Sequence, residues 1–345
     1  MSNKYIWLLA VFVLGITVST SSIASDAIQP AAAYQAPLAS ESLLTDIANV
    51  DNVFLTVVGE RGHILRSSDG VTWQQAQVPV QANLSAVIFV DKQHGWAVGH
   101  DATILKTSDS GDTWHIQQYL PQLDKPLFDV YFRNQTQGIA VGAYGLFYRT
   151  NDGGNTWQPE FHIELLSEDD QEYLLDLKET DEQAYAIEQG VILPHFNRIF
   201  ADADTLYLVG EAGFTAKSSD FGVTWQRLEA FYNGSLFDIS RSQKLTLLAV
   251  GLRGNAFRSQ DQAVSWHKID LPNSATINSI VTANTPSIFL LGNAGSLLVS
   301  HDDGVSFTDH SLQDGKAIVN GIVWQDKLIL VTEVGVKTIN LSELN

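Results

Sequence analysis

The eight residues Thr107-Ser108-Asp109-Ser110-Gly111-Asp112-Thr113-Trp114 decide how the rest of the chain is read. In such a stretch the aspartate can accept hydrogen bonds from the amides of its own turn. The glycine tolerates a positive φ, and the Trp has a large apolar face to bury. The pattern returns around Asp69 (Ser67 to Trp73, one residue shorter), Asp152 (Thr150 to Trp157), Asp220 (Ser218 to Trp225) and Asp261 (Ser259 to Trp266, with Ala263 replacing the glycine). A sixth copy, Ser300 to Phe307 around Asp302, keeps an aromatic where Trp stood. Five of the eight tryptophans thus sit at one position of a repeat, which chance does not arrange.

The aromatics Trp73, Trp114, Trp157, Trp225, Trp266 and Phe307 are 41, 43, 68, 41 and 41 residues apart. A period near 41 is what four short strands and their turns consume in one propeller blade. The unit ending at Trp114 predicts strands at 85–90, 94–99, 103–108 and 113–117, and runs such as Gly95-Trp96-Ala97-Val98-Gly99 suit strands buried between blades. A final half-unit predicts strands at 318–324, 327–332 and 335–339 around the turn Glu333-Val334, with no fourth strand after them. An open edge is an aggregation hazard, so Ala33 to Pro37 is expected to supply the missing outer strand. The expectation is an all-β, seven-bladed β-propeller of four-stranded blades over residues 33–345, closed by that N-terminal strand.

The 68-residue spacing exceeds the period by 27, which places an insertion at 159–193, between blades 3 and 4. Within it, Glu164 to Glu188 holds ten acidic residues against Lys178 alone. Leu165, Leu166, Tyr173, Leu174, Leu175 and Leu177 recur at helical spacing, and Ser167 is placed to cap a helix with acidic residues in its first turn. Strand order puts the tight turns between second and third strands on the same face as the connections between blades, and the Asp-box turns on the other. The insertion therefore decorates the first face. There Arg61, Asp101, Tyr144, Glu211 and Arg253, with Glu168, Asp169, Asp170 and Glu172 of the insertion, form the candidate partner-binding surface. The Asp-box residues Asp69, Asp109, Asp152, Asp220, Asp261 and Asp302, with their aromatics, are read as structural.

Residues 1–24 read as a signal peptide: Lys4, an apolar run from Ile6 to Val18, then Ser22-Ile23-Ala24 as a cleavage site. The run is shorter than the ~20 residues a membrane-spanning helix needs. Cysteine is absent, so neither disulfide staples nor a lipid anchor is available. The expected product is exported, periplasmic and not membrane-spanning once cleaved. A net charge of −19 and a pI near 4.6 exclude nucleic acid as a partner, because phosphate binding needs a positive field.

The Asp-box blades resemble the BNR repeat superfamily. Together with Gly95 to Gly99, Gly138-Ile139-Ala140-Val141-Gly142-Ala143-Tyr144-Gly145 and Thr150 to Trp157, they look specifically similar to the Ycf48/HCF136 family of photosystem II assembly factors. The resemblance covers nearly the whole chain from Ala33. It implies a non-enzymatic propeller without cofactor that binds a protein partner, a membrane-protein complex at the periplasmic side. Members in photosynthetic organisms bind early reaction-centre subunits and display an arginine patch. With only 20 Lys and Arg this chain departs from that pattern and looks more like the non-photosynthetic bacterial branch, for which an accessory role beside RND-type transporters is implied by analogy.

Asp-box propellers also include sialidases, so a carbohydrate-binding or glycoside-hydrolysing alternative is carried. Its nearest motif, Phe196-Asn197-Arg198-Ile199-Phe200, lacks the in-register arginine and the proline that such enzymes show. Nothing in the sequence assigns three of Arg61, Arg133, Arg149, Arg198 and Arg253 to one pocket. No His-Glu-x-x-His, Gly-x-Ser-x-Gly or phosphate-binding loop is present. Neither a catalytic residue nor a metal ligand is assigned.

Overall fold

The computed structural model describes residues 30–282 and 286–344; the signal peptide expected at 1–24 lies outside them. Seven antiparallel sheets follow one another along the chain, each with its strands in sequential order, and form the seven blades of a propeller. Six blades have four strands and the seventh has three. The first strands, at Leu44–Val50, Leu84–Phe89, Leu127–Phe132, Phe196–Asp202, Leu236–Arg241, Ile277–Val281 and Ile318–Trp324, are innermost and surround a channel. Second strands such as Gly95–Gly99, Gly138–Gly142 and Leu247–Gly251 are wholly buried, because neighbouring blades cover both their faces. The aromatics that recur in the turns serve the seams between blades. Trp114, Trp157, Trp225 and Phe307 each join a core that spans two adjacent blades.

One close approach explains the glycine that ends the second strand. A Cβ on Gly59, Gly99, Gly142, Gly210, Gly251 or Gly292 would stand 2.0–2.2 Å from the carbonyl oxygen that precedes the first strand of the same blade. The next amide takes that same oxygen as its acceptor, for instance Glu60 N–H to Leu43 (3.1 Å), His100 to Asn83 (2.8 Å), Ala143 to Pro126 (3.0 Å) and Glu211 to His195 (3.1 Å). The contact is therefore built into each blade. After it the turn places a non-glycine residue in the left-handed region: Arg61 at φ 56°, Asp101 at 60°, Tyr144 at 53°, Ala212 at 52°, Arg253 at 57° and Ala294 at 55°.

The insertion is two helices rather than one. Helix α1, Glu168–Thr180, starts at Ser167, whose hydroxyl accepts the Asp170 amide; helix α2, Glu182–Gln189, starts at Asp181, whose carboxylate accepts the Ala184 amide. An aspartate so placed terminates one helix and caps the next. Leu165, Leu166 and Leu174 sink into the core shared by blades 3 and 4, whereas Tyr173, Leu175 and Ile187 remain exposed.

The expected closing strand is not there. Residues 32–36 run beside blade 1, not blade 7: Ala33 N–H bonds Val78 O (2.9 Å), Gln35 Nε2 bonds Ala76 O (3.0 Å) and Ala36 N–H bonds Gln75 Oε1 (2.8 Å). Ala33 and Ala36 find apolar cover there, in the cores on either side of blade 1. The ring closes instead through side chains. Trp324 of blade 7 is buried with Ile47, Leu55 and Val57 of blade 1. In the core between blades 6 and 7, Leu344 of the terminal 3-10 turn is buried where the other seams use an aromatic.

The glycine contact is open to a direct test. Gly142→Ala should lower unfolding stability by about 2–4 kcal/mol, because backbone must shift to admit the methyl group. Gly315→Ala, at a left-handed residue with open space around it, should cost only about 1–2 kcal/mol. Equal losses in denaturant titrations would refute the steric account.

Candidate functional site

The six Asp-box carboxylates are consumed by their own turns. Asp109, Asp152, Asp220, Asp261 and Asp302 each accept the amide and the hydroxyl of the Thr or Ser four residues on, and the hydroxyl two residues back. Asp69, in the shorter turn, accepts from Val71 and Thr72 amides and from Ser67. Donors favour the ionised form, and the Ser306 hydroxyl, with its amide, holds Asp302 at about 2 despite slight burial. These are hairpin clamps, with the aromatic anchoring each to the seam.

On the opposite face, blades 3 and 4 carry a compact cluster. The Tyr144 ring meets His195 edge to face at 4.5 Å, and His195 contacts Phe128 at 5.7 Å. His195 Nδ1 lies 3.4 Å from a Glu211 carboxylate oxygen. Lys125 Nζ sits 5.5 Å from the Tyr144 ring centre and donates to Gly190 O at the end of α2, so it ties the insertion to this turn. Burial pulls the Lys125 ammonium below its usual range. Tyr144 remains 45% exposed, as an aromatic offered to a partner must be.

Two of the sequence-predicted residues, Tyr144 and Glu211, are thus joined through His195. Arg61 and Arg253 occupy equivalent turns on other blades, where their amides bond Asn83 and Thr276, and the turn of Asp101 adjoins the cluster through Ala102 N–H, which donates to Lys125 O (2.9 Å). Glu168, Asp169, Asp170 and Glu172 line the first turns of α1. Asp170 accepts the Ser167 hydroxyl, and none of the four forms an ion pair among the described residues. His195, Lys125 and Phe128 were not legible as site residues. The clue was their place at or just before the first strand, next to the turn that bears Tyr144.

A second polar constellation, unanticipated from sequence, rings the channel. The residue after a β-bulge in each innermost strand occupies the same register: Asp46, Ala86, Asp129, Arg198, Asp238, Ser279 and Asn320. Six of the seven blade junctions are bridged there. Asp46 accepts Val87 N–H (2.8 Å), Asp129 accepts Ile199 N–H (2.9 Å) and Asp238 accepts Ile280 N–H (2.8 Å), each across a junction. Arg198 Nε donates to Asp238 (3.1 Å), Ser279 to Asn320 (2.5 Å) and Asn320 Nδ2 to Asp46 (2.6 Å), which completes the circle. Only Ala86, without a polar side chain, leaves the junction of blades 2 and 3 unbridged at this level. A cavity of about 360 Å³ adjoins the ring, lined also by Ile88, Tyr131, Phe200 and Ser240. Among the described residues no three His, Cys, Asp or Glu side chains converge as metal donors.

Burial works against the charge on Arg198, but Asp238, Asp129 and Asp46 outweigh it and keep the guanidinium protonated. Asp129 is pushed up to about 6 by burial, which Arg198 offsets only in part, and burial raises Asp46 as well. For Asp129 the folded value exceeds the unfolded one near 3.8, so the folded chain binds the extra proton and stability falls as pH rises through 4–6. Relative to Asp129→Asn, the wild type should lose up to about 3 kcal/mol across that window. Parallel stability curves for the two proteins between pH 4 and 6.5 would rule this out.

The comparisons with known proteins agree with the geometry. The family model for the photosynthesis system II assembly factor YCF48 matches residues 67–126. The photosystem II assembly protein Ycf48 of Thermosynechococcus vestitus is 43% identical over 42 residues, 12% of each chain. The matched stretch therefore spans only about an eighth of that relative's length. Among solved structures, YCF48 bound to D1 peptide superposes with a TM-score of 0.67 at 18% identity, over 90% of this chain and 99% of that one. YCF48 from Cyanidioschyzon merolae gives 0.66 at 17% identity, with the same coverage. The fold is shared with enzymes too: the GH74 xyloglucanase from Xanthomonas campestris gives 0.65 at 11% identity over 88% of this chain and 53% of that one. Repeat pattern, family match and blade count together make this chain a Ycf48-like, BNR-repeat propeller.

Proposed function

We propose that the chain is a non-enzymatic, exported scaffold that binds another protein on the face bearing the turns and the acidic insertion. The observation that carries this reading is the exposed Tyr144, held on a left-handed turn by His195 and Lys125 directly beside the insertion. A rigid aromatic rimmed by charge is the usual anchor of a protein interface. The solved YCF48 with a D1 peptide lends support, since a propeller of this type there holds a peptide. The partner is a subunit of a membrane-protein complex on the periplasmic side, consistent with the leader-like residues 1–24 and with a transporter-accessory role. No helix among the described residues is long and apolar enough to cross a membrane.

Affinity purification of the tagged protein from gently crosslinked cells, with mass spectrometry of what co-purifies, tests the proposal. One membrane complex should be recovered with the wild type and reduced about tenfold or more by Tyr144→Ala. Joint reversal of Glu168, Asp169, Asp170 and Glu172 to lysine should weaken recovery and abolish its salt sensitivity. Recovery unaffected by both changes would sink the assignment of this face. Deletion of 164–188 is a poorer probe, because Leu165, Leu166 and Leu174 belong to the core.

A further inference from the structure

The seventh blade is unfinished on its outer side, away from the face discussed above. In the other blades the third strand is buried along nearly its whole length: Ile64–Ser67, Thr103–Thr107, Phe147–Thr150, Thr215–Ser218, Ala256–Ser259 and Leu297–Ser300 have at most one half-buried residue each. The equivalent strand of blade 7, Gly335–Asn340, is buried only at Gly335; Val336, Lys337 and Ile339 are half-buried and Thr338 and Asn340 exposed. What covers the others is a short fourth strand, and its backbone bonds fall at one register. Ala76 N–H reaches Ile64 O, Glu160 reaches Phe147, Leu228 reaches Thr215 and His310 reaches Leu297, all at 2.9–3.0 Å. By strand pairing, Val336 is the counterpart of Ile64, because both face the residue opposite the channel ring. Alternation along the ladder then turns the backbone groups of Val336 and Thr338 outward. Among the described residues nothing bonds them.

We infer that this edge is a second binding site, which accepts an extended, basic segment of another polypeptide as the fourth strand of blade 7. An exposed edge with outward amides and carbonyls is a template for strand addition. The six fourth strands already in the molecule show the form of occupant that fits. They are brief and mostly free of acid, as in Gln74–Gln75, Gln226–Arg227 and His267–Ile269, and Ala76 and Ile269 turn an apolar side chain inward. Charge selects among candidates. A chain of net charge −19 repels a second copy of itself and attracts a basic strand. The chain's own residues 32–36 bond blade 1, while Ala36, Ala39 and Ser40 lie beside Val336 and Gly335 at the start of this strand without bonding its outward groups. Leu344 already fills the core of the adjoining seam, so the site takes backbone and a short apolar side chain rather than an aromatic.

The test uses the full chain and a peptide copying residues 267–274 with the change Asp270→Lys, which makes it basic, with hydrogen–deuterium exchange resolved to single amides. In the free monomer Val336 and Thr338 should exchange freely, and the peptide should slow both by about tenfold or more. A peptide with glutamate at both leading positions should slow neither. Thr338→Pro removes an outward N–H without touching the ladder, and should abolish the protection while leaving the unfolding midpoint unchanged. Thr338→Lys, which keeps the backbone donor but adds like charge, should weaken it and serves if the proline variant misfolds. Protection already present in the monomer would mean the chain covers its own edge, and protection that grows with protein concentration would mean a second copy does. Either result, or equal protection of the Thr338→Pro protein, overturns the inference.

Discussion

The contact on which the structure rests is the hydrogen bond from the amide after the second strand to the carbonyl that precedes the first. It occurs in all seven blades, from Glu60 N–H to Leu43 O through Glu333 N–H to Ala317 O. It brings two backbones so near that only glycine fits in six of them. It also forces the extra residue in the innermost strand, because Leu44 pairs with Gly59 while Asp46, not Thr45, pairs with Val58. That bulge turns the following residue towards the channel, and so the channel ring, the tight turns and the face they share all descend from one bond.

The ring converts this geometry into cohesion between blades. An innermost strand cannot pair with its neighbour across the channel, so its amides need other acceptors. Aspartates at alternate blades supply them, and each is close enough to the next blade to staple it. The arrangement carries strain of an electrostatic kind. Three carboxylates share one guanidinium, and burial pushes Asp46 and Asp129 towards the neutral form. The Asp-box carboxylates lie at the other extreme, held ionised by donors in exposed turns, so one residue type does opposite work at the rim and at the hub.

Most of the architecture was legible because it repeats. Seven units at a 41-residue period fixed the blade count, and the final three strands fell within a residue of their predicted ends, Gly335–Asn340 against 335–339. Ser167 was legible as a cap because capping is a local matter; the break at Asp181 was hidden in the polar stretch Lys178-Glu179-Thr180-Asp181-Glu182. The place of Ala33 to Pro37 was not legible, since the stretch Ala-Tyr-Gln-Ala-Pro carries no pattern that says which edge it will meet. The contact between Tyr144 and His195 was equally hidden, as it joins blades through residues far apart in sequence. The ring did leave a trace, in Leu127-Phe128-Asp129-Val130 and Leu236-Phe237-Asp238-Ile239, where a single acid interrupts an apolar strand at a fixed point of the repeat. It passed as ordinary strand polarity because the bulge that redirects it has no signature of its own.

The ring also has a direction. Asp46, Asp129 and Asp238 each reach forward, to a blade made later in the chain, and only Asn320 reaches around to the beginning. During synthesis, which runs from the N-terminus, every staple waits for the blade that answers it, and Asp46 waits longest. Its carboxylate is met by Val87 early but by Asn320 only when the last blade arrives. The hub is therefore complete only once the last blade is in place, and a chain truncated before it leaves Asp46 with Val87 N–H and the charge of Arg198 but without the Asn320 amide that joins the two ends of the ring.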